Sequence, residues 1–331
     1  MNKRYKEGLI IGKFYPFHKG HQFLLETALS QSEHVSVIVC HTPLYDIDPK
    51  IRAEWIRELY PLVSVIVFRH DPYLDSPSLS ISKQWADITI DILGFSPDCV
   101  FSSEDYGSHY AGHMGSEHVL VDKERTTIPI SGTMARDDPY KSWQYLSEPV
   151  RAYFAKRIVI LGAESTGTTT LAMDLARHFR TSWVPEYGRS YAEGRLFTEN
   201  ADKWKTEEFA HIATVQNTVE NELARKSNRL LICDTDAFAT RLWHERYMGF
   251  LSPELEALVN TQNKSLYILT GDEIPFVQDG TRDGEQIRHK MHRSFIEELK
   301  SNQLNYIEVN GTKTDRLSKA VEEINKLFEH D

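Results

Sequence analysis

The chain has 331 residues, 40% hydrophobic and 26% charged, and no low-complexity tract or internal repeat. That length exceeds one ordinary core and the composition is globular throughout, so two domains are expected and disorder is confined to the ends. A formal net charge of −10 argues against a broad nucleic-acid or anionic-membrane surface while leaving room for a local phosphate pocket.

The first charged stretch, MNKRYKEGLIIGKF, holds only a short apolar run before Lys13, too short for a signal peptide, and no segment approaches a membrane span. A cytoplasmic protein is the expectation. Cys40, Cys99 and Cys233 lie in or beside apolar runs without a CxxC pair, as buried thiols do. His109, His113 and His118 fall in a Gly/Ser-rich stretch with no helical apolar face and are read as a solvated loop, not a metal site.

In chain order, residues 9–11 (LII) read as a short buried strand, residues 21–29 as a helix and residues 35–39 (VSVIV) as the next strand, a βαβ unit. Apolar runs at 63–68, 99–101 and 119–121 alternate with helical spacing at 52–59 and 83–93. The first half is thus a parallel α/β sheet of Rossmann-like type. The pattern restarts with residues 157–161 (RIVIL), a Gly/Ser/Thr loop over 162–170, a helix over 171–179 and strands at 230–233 and 266–269. This is a second α/β domain. Residues 143–156 form a short connection, which gives domains of 1–154 and 155–331.

Between the first strand and helix runs GKFYPFHKGH, residues 12–21. It sets His18 and His21 three residues apart at a junction where α/β sheets bind anions. The two imidazoles are expected to flank a phosphate, with Lys13 beside them and Gly12, Phe14 and Gly20 against the nucleotide. A side chain at Gly20 would crowd it. Helix-capping or surface histidines are the plain alternative for a lone pair. A second element, residues 130–136 (ISGTMAR), adds hydroxyls at Ser131 and Thr133 and the planar cation of Arg136 for the β- and γ-phosphates. Alone it would be an ordinary capped helix. Together the two resemble the HxGH and ISxTxxR signatures of the nucleotidyltransferase superfamily.

Further segments, Arg52 with Trp55, Ser103-Glu104 with Tyr106, the run VDKERT at 121–126 and LSEPVRAYF at 146–154, resemble the NadR-type bifunctional family, and the resemblance covers nearly the whole chain. It implies transfer of the adenylyl group of ATP, with Mg²⁺, to nicotinamide mononucleotide, giving NAD and pyrophosphate. His18, His21, Lys13 and Arg136 would then stabilise the developing charge. Arg52, Glu104 and Tyr106 are the implied acceptor residues. Trp85 either stacks on the nicotinamide ring or fills the core.

The loop Gly162-Ala163-Glu164-Ser165-Thr166-Gly167-Thr168-Thr169-Thr170 follows a strand and opens a helix, the setting of a Walker A loop. Thr168 stands where that loop usually has lysine, and Thr169 where a hydroxyl holds Mg²⁺. The apolar run 230–233 ends in Asp234, as a Walker B strand should, and Asp236 follows. Asp234 is assigned to the metal and Asp236 to the catalytic base. Resemblance to the family's riboside-binding segment at 185–189 (PEYGR) implies that Glu186 holds ribose hydroxyls and Tyr187 stacks, with Arg189 alongside. Resemblance to its lid at 279–288 implies that Arg282 and Arg288 reach the γ-phosphate; a charged surface loop competes.

The second half then resembles a ribosylnicotinamide kinase that phosphorylates nicotinamide riboside with ATP. Two rivals remain: adenylyl transfer alone, with a nucleotide-binding regulatory second domain, which Thr168 favours, and another phosphorylated acceptor such as phosphopantetheine. Family members with an N-terminal helix-turn-helix have more chain ahead of the first strand, so no nucleic-acid or membrane partner is expected here. Oligomeric state is left open.

Overall fold

The computed structural model describes residues 3–76, 78–259, 264–278 and 284–329. The chain divides into two compact units, Met1–Val150 and Arg151–Asp331. Both are α/β units built on one wholly parallel five-stranded sheet.

Unit one runs β1 (Tyr5–Gly12), α1 (Lys19–Gln31), β2 (Ser32–His41), α2 (Pro49–Leu59), β3 (Ser64–Arg69), α3 (Leu79–Leu93), β4 (Cys99–Ser102), α4 (Gly107–Met114), β5 (Glu117–Leu120), α5 (Gly132–Asp137) and α6 (Glu148–Phe154), whose last turn crosses into unit two. Its strand order is β3-β2-β1-β4-β5. The order reverses beside β1, where α/β sheets open a crevice at their carboxyl ends. Leu9, Ile38 and Val100 pack with Ala86, Tyr110 and Met114 into a core. Helices start where the chain supplies caps: Asp48 accepts from Lys50 N–H with Pro49 following, and Ser78 accepts from Ile81 N–H. The stretch expected to be a solvated loop is instead α4 and β5. His109 and His113 ride the helix, which buries Tyr110, Ala111 and Met114, and His118 in β5 bonds Ser102 Oγ at 2.8 Å.

Unit two runs β6 (Lys156–Leu161), α7 (Thr168–Phe179), β7 (Trp183–Val184), α8 (Tyr187–Arg195), α9 (Thr206–Ala224), β8 (Leu230–Asp234), α10 (Ala237–Met248), α11 (Pro253–Val259), β9 (Leu266–Thr270), α12 (Glu285–Ser301), β10 (Tyr306–Val309) and α13 (Lys313–Lys326). Its order is β10-β9-β6-β8-β7, which sets the end of β6 between those of β8 and β9. Ile158, Ile160, Ile232 and Ile268 pack under Leu171, Leu175 and Ile324. The three cysteines are buried and unbridged. Among the described residues no helix is long and apolar enough to cross a membrane.

Candidate functional site

In unit one β1 delivers the chain to a loop that is folded by its own side chains. Phe14, at φ 48°, turns inward and is 2% exposed, and its ring stands edge-on to His21 at 5.0 Å. The Tyr15–Pro16 peptide is cis. His18 caps α1: its Nδ1 accepts from Gly20 N–H at 3.1 Å and His21 N–H at 3.4 Å, while His18 N–H donates to His21 Nδ1 at 3.3 Å. The capping alternative therefore describes the local hydrogen bonds, and these leave both Nε2 atoms outside the cap. With both Nδ1 atoms accepting, each neutral ring carries its proton on Nε2. Burial, aided by the Arg125 guanidinium, pulls His18 down to about 4, and burial with His18 and Arg125 holds His21 well below the usual imidazole range. Both are neutral donors at pH 7, not cations.

Gly20 has a different warrant from the one expected: a Cβ there would meet the His18 ring at 3.0 Å and Ile130 at 3.4 Å. The two sequence elements thus meet in space. His18 Nε2 lacks a hydrogen-bond partner among the described residues and lies 4.0 Å from where a Gly132 Cβ would sit. Ser131 caps α5 through Met134 N–H at 3.1 Å, and Arg136 leans on Thr133 Oγ1 at 3.2 Å and over the Tyr15 ring at 5.8 Å, exposed. Lys13 pairs with Asp75 at 3.1 Å. Arg125 was not singled out from sequence; its loop is tied by Asp122, which accepts from Thr127 N–H and Ile128 N–H, and it pairs with Glu104 at 3.2 Å.

Arg52 does not present its charge to a ligand. It is 0% exposed and donates to the carbonyls of Ile47, Lys13 and Cys40 and to His41 Nδ1, so it fastens the loop that carries Lys13. Trp85 is half-buried against the core, donates to Leu74 O at 2.9 Å and meets His70 edge-on at 4.9 Å. Tyr106 is exposed beside Glu104.

In unit two the end of β6 opens a cleft of about 370 Å³. Its lining combines residues 162–165, Gly167, and Thr168, Thr169 and Thr170 at the start of α7 with the aromatics Trp204, Phe209, Trp243 and Tyr247. Glu186, Arg189, Gln216, Asp234 and Thr240 lie along it. A Cβ at Gly162 would sit 2.1 Å from Thr270 Oγ1 and 2.4 Å from Thr166 Oγ1, so only glycine fits. Thr166 donates to Ala163 O and receives from Thr270, and the buried Arg316 ties Thr166 O (2.6 Å), Gly271 O, Gly311 O and Glu273 together. Ser165, at φ 61°, accepts Val277 N–H. Gly167, at φ 83°, takes the left-handed turn into α7.

Thr169 Oγ1 donates to Asp234 Oδ2 at 2.6 Å, and Asp234 Oδ1 is buried without a partner among the described residues. Burial pushes the Asp234 carboxyl up despite donations from Thr169 and Thr168. This pair of hard oxygens suits a divalent cation. Glu186 faces the same space, and burial, with Asp234 next, raises it to about 7.

Asp236 requires a correction. It is 1% exposed, caps α10 through Ala239 N–H and accepts from Tyr267 O–H at 3.0 Å, with Lys264 Nζ at 3.9 Å. Each of its oxygens accepts one hydrogen bond inside the fold and it is not among the residues that line the cleft, so the structure does not bring it to the base position. Tyr187 is corrected too: its ring packs on His211 and Tyr191 and lies outside the cleft lining, which takes its aromatics from α9, α10 and Trp204 instead. Arg288 is buried and donates to Ile274 O and Asp272 O, so its guanidinium is spent on main-chain carbonyls. Arg282 lies outside the described residues. Gln216, missed from sequence, accepts Tyr187 N–H and holds its Nε2 unpartnered among the described residues.

Residues 157–316 match the family model described as AAA domain. The chain is similar to "Trifunctional NAD biosynthesis/regulator protein NadR" of Escherichia coli (strain K12) and of Salmonella typhimurium, 28% identical to each over 97% of this chain and 83% of theirs. Among solved structures it resembles a NadR protein in complex with NAD and AMP-PNP (TM-score 0.76, 20% identity, 97% of this chain and 96% of that one). It also resembles a NadR protein in complex with NR (TM-score 0.75, 21% identity, 98% and 96%).

Proposed function

Because the chain is homologous to NadR along nearly its whole length, we infer that it is a bifunctional enzyme of NAD biosynthesis, with adenylyl transfer in residues 1–154 and riboside phosphorylation in residues 155–331. The observation that carries the first half is the meeting of the His18/His21 corner with the Ser131–Arg136 element at the carboxyl end of β1. An oxygen of the mononucleotide 5′-phosphate attacks the α-phosphorus of ATP, and pyrophosphate leaves with the electron pair of the broken bond. The two neutral Nε2–H groups donate to phosphate oxygens as charge moves onto them, and Arg136 and Arg125 neutralise the leaving group.

In unit two, the triphosphate lies on the main-chain N–H groups of the 162–169 loop, and the riboside lies between Glu186 and the aromatic lining of the cleft. Glu186 takes the proton of the attacking 5′-hydroxyl, while ADP leaves. Thr169 and Asp234 would hold Mg²⁺, which supplies positive charge to the β- and γ-phosphates. Arg189, which lines the cleft, brings the cation that Thr168 cannot.

Thr168 also favours a second reading, a unit two that binds nucleotide without turnover. Supplying the pure protein with Mg-ATP and either nicotinamide mononucleotide or nicotinamide riboside, and separating the products, decides. NAD with pyrophosphate, and mononucleotide with ADP, are expected; no mononucleotide from the riboside leaves adenylyl transfer alone.

A further inference from the structure

Arg136 lies exposed in the last turn of α5. Among the described residues its guanidinium makes one hydrogen bond, to Thr133 Oγ1 at 3.2 Å, and has no carboxylate within ion-pair distance. An exposed arginine left to itself disperses over many rotamers, and only the one that meets the departing phosphates helps the reaction. What steadies Arg136 is an aromatic face. Its Cζ stands 5.8 Å from the centroid of the half-buried Tyr15 ring.

Tyr15 is itself fixed by three contacts. Its hydroxyl donates to Asp46 Oδ1, its ring packs on Tyr45 at 5.0 Å, and the buried Arg52 stands 5.7 Å from its centroid. The ring thereby joins residues 13–18, after β1, to residues 42–48, after β2. Burial, with the Asp46 bond next, pushes the phenol up to about 12, so it remains a neutral donor at pH 7. A carboxylate in its place would hold Arg136 more firmly, but it would occupy the guanidinium fork and cancel its charge. A ring face attracts the cation through its quadrupole and leaves the N–H groups at the guanidinium edge for phosphate oxygens. The hydrogen bond to Asp46 polarises the phenol and enriches that face.

We propose that Tyr15 is a positioning residue for Arg136, whose guanidinium its ring face holds where the pyrophosphate departs, so that Tyr15 acts on turnover and not on capture of the mononucleotide. This rests on the adenylyl-transfer reading above. The test replaces Tyr15 in the whole protein by phenylalanine and by its 4-fluoro, 3,5-difluoro and 3,4,5-trifluoro forms, which drain the ring face with little change of shape. With Arg136 present, kcat for NAD formation should fall stepwise, about fivefold from phenylalanine to the trifluoro form, while KM for nicotinamide mononucleotide stays within about twofold. In Arg136→Ala the same series should be flat, which also separates Arg136 from Arg52, the other cation beside the ring. Tyr15→Leu, with no ring, should match the trifluoro form, and Tyr15→Trp, with a richer face, should hold kcat. A series that is flat with Arg136 in place overturns the assignment, and so does an equal slope in the two backgrounds or wild-type turnover in Arg136→Ala. A wild type that forms no NAD from ATP and nicotinamide mononucleotide would instead sink the adenylyl-transfer reading, and this assignment with it.

Discussion

His18 and His21 each receive the other's main-chain N–H on Nδ1, with their rings stacked at 3.7 Å between centroids. Each thereby holds the other with its proton on the outward nitrogen. His21→Ala removes one aimed donor and should lower the turnover of NAD formation by about 10² with little change in overall folding. Turnover equal to wild type in a folded variant would remove His21 from the chemistry.

The same pair makes stability depend on pH. His18 titrates near 4 in the folded protein and near the ordinary imidazole value of 6.5 when unfolded, so between those values the unfolded chain binds the extra proton. The contribution of His18 to stability is complete above about pH 6.5 and is lost as pH falls toward 4. Thermal unfolding followed by circular dichroism should show Tm declining through that window, and His18→Asn, which still caps α1, should flatten the slope. An unaltered slope in the variant would mean that other groups set it.

Glu186 predicts a trend of the same sign in activity. A base raised by burial to about 7 before Mg²⁺ joins Asp234 gains function as pH rises, so kcat/KM for nicotinamide riboside should climb with an apparent pKa at or below 7. Glu186→Gln should abolish riboside phosphorylation and leave NAD formation from the mononucleotide intact. Asp236→Asn should lower Tm through the α10 cap and the Tyr267 bond, without shifting the pH profile. A profile that moves with Asp236 would return the base to that residue.

With threonine at 168, the positive charge on the phosphates must come from elsewhere, and among the described residues Arg189 is the arginine that lines the cleft. Arg189→Ala should cost phosphoryl transfer about 10² or more, and Thr168→Lys in the same molecule should recover much of it. ATP affinity should change less than turnover, because main-chain N–H groups carry the ground-state binding. Full kinase activity in Arg189→Ala would show that the charge comes from another source.

The elements and the loops between them were legible because local rules write them: apolar runs at 9–11, 157–161 and 230–233, followed by glycine turns and caps. Two kinds of information were not. The first is where a long side chain spends its donors. Arg52 and Arg288 read as ligand-binding cations, yet distant carbonyls consume them, and no spacing in the sequence announces those partners. The second is which residues of a long helix face a cleft. Trp204, Phe209, Gln216, Trp243 and Tyr247 converge only once α9 and α10 pack together, whereas the adjacent Tyr187 turns aside. Asp236 fell between the two: its place after a Walker B strand suggested chemistry, but the hydroxyl that occupies it comes from Tyr267 on β9.

The Arg316 guanidinium, which stitches the carbonyls of Thr166, Gly271 and Gly311 together, has a thermodynamic consequence for the phosphate loop. A loop of glycine and small hydroxyl residues would ordinarily have to surrender conformational freedom each time a triphosphate settled into it. Here that ordering is completed when the domain folds, so ligand affinity is spared the cost. Preorganisation of this kind does nothing for the charge of the transition state, but it offsets part of the ground-state binding that a lysine would have given. With threonine at position 168, the cation that the described loop does have is a buried one behind it, which holds the main chain in place.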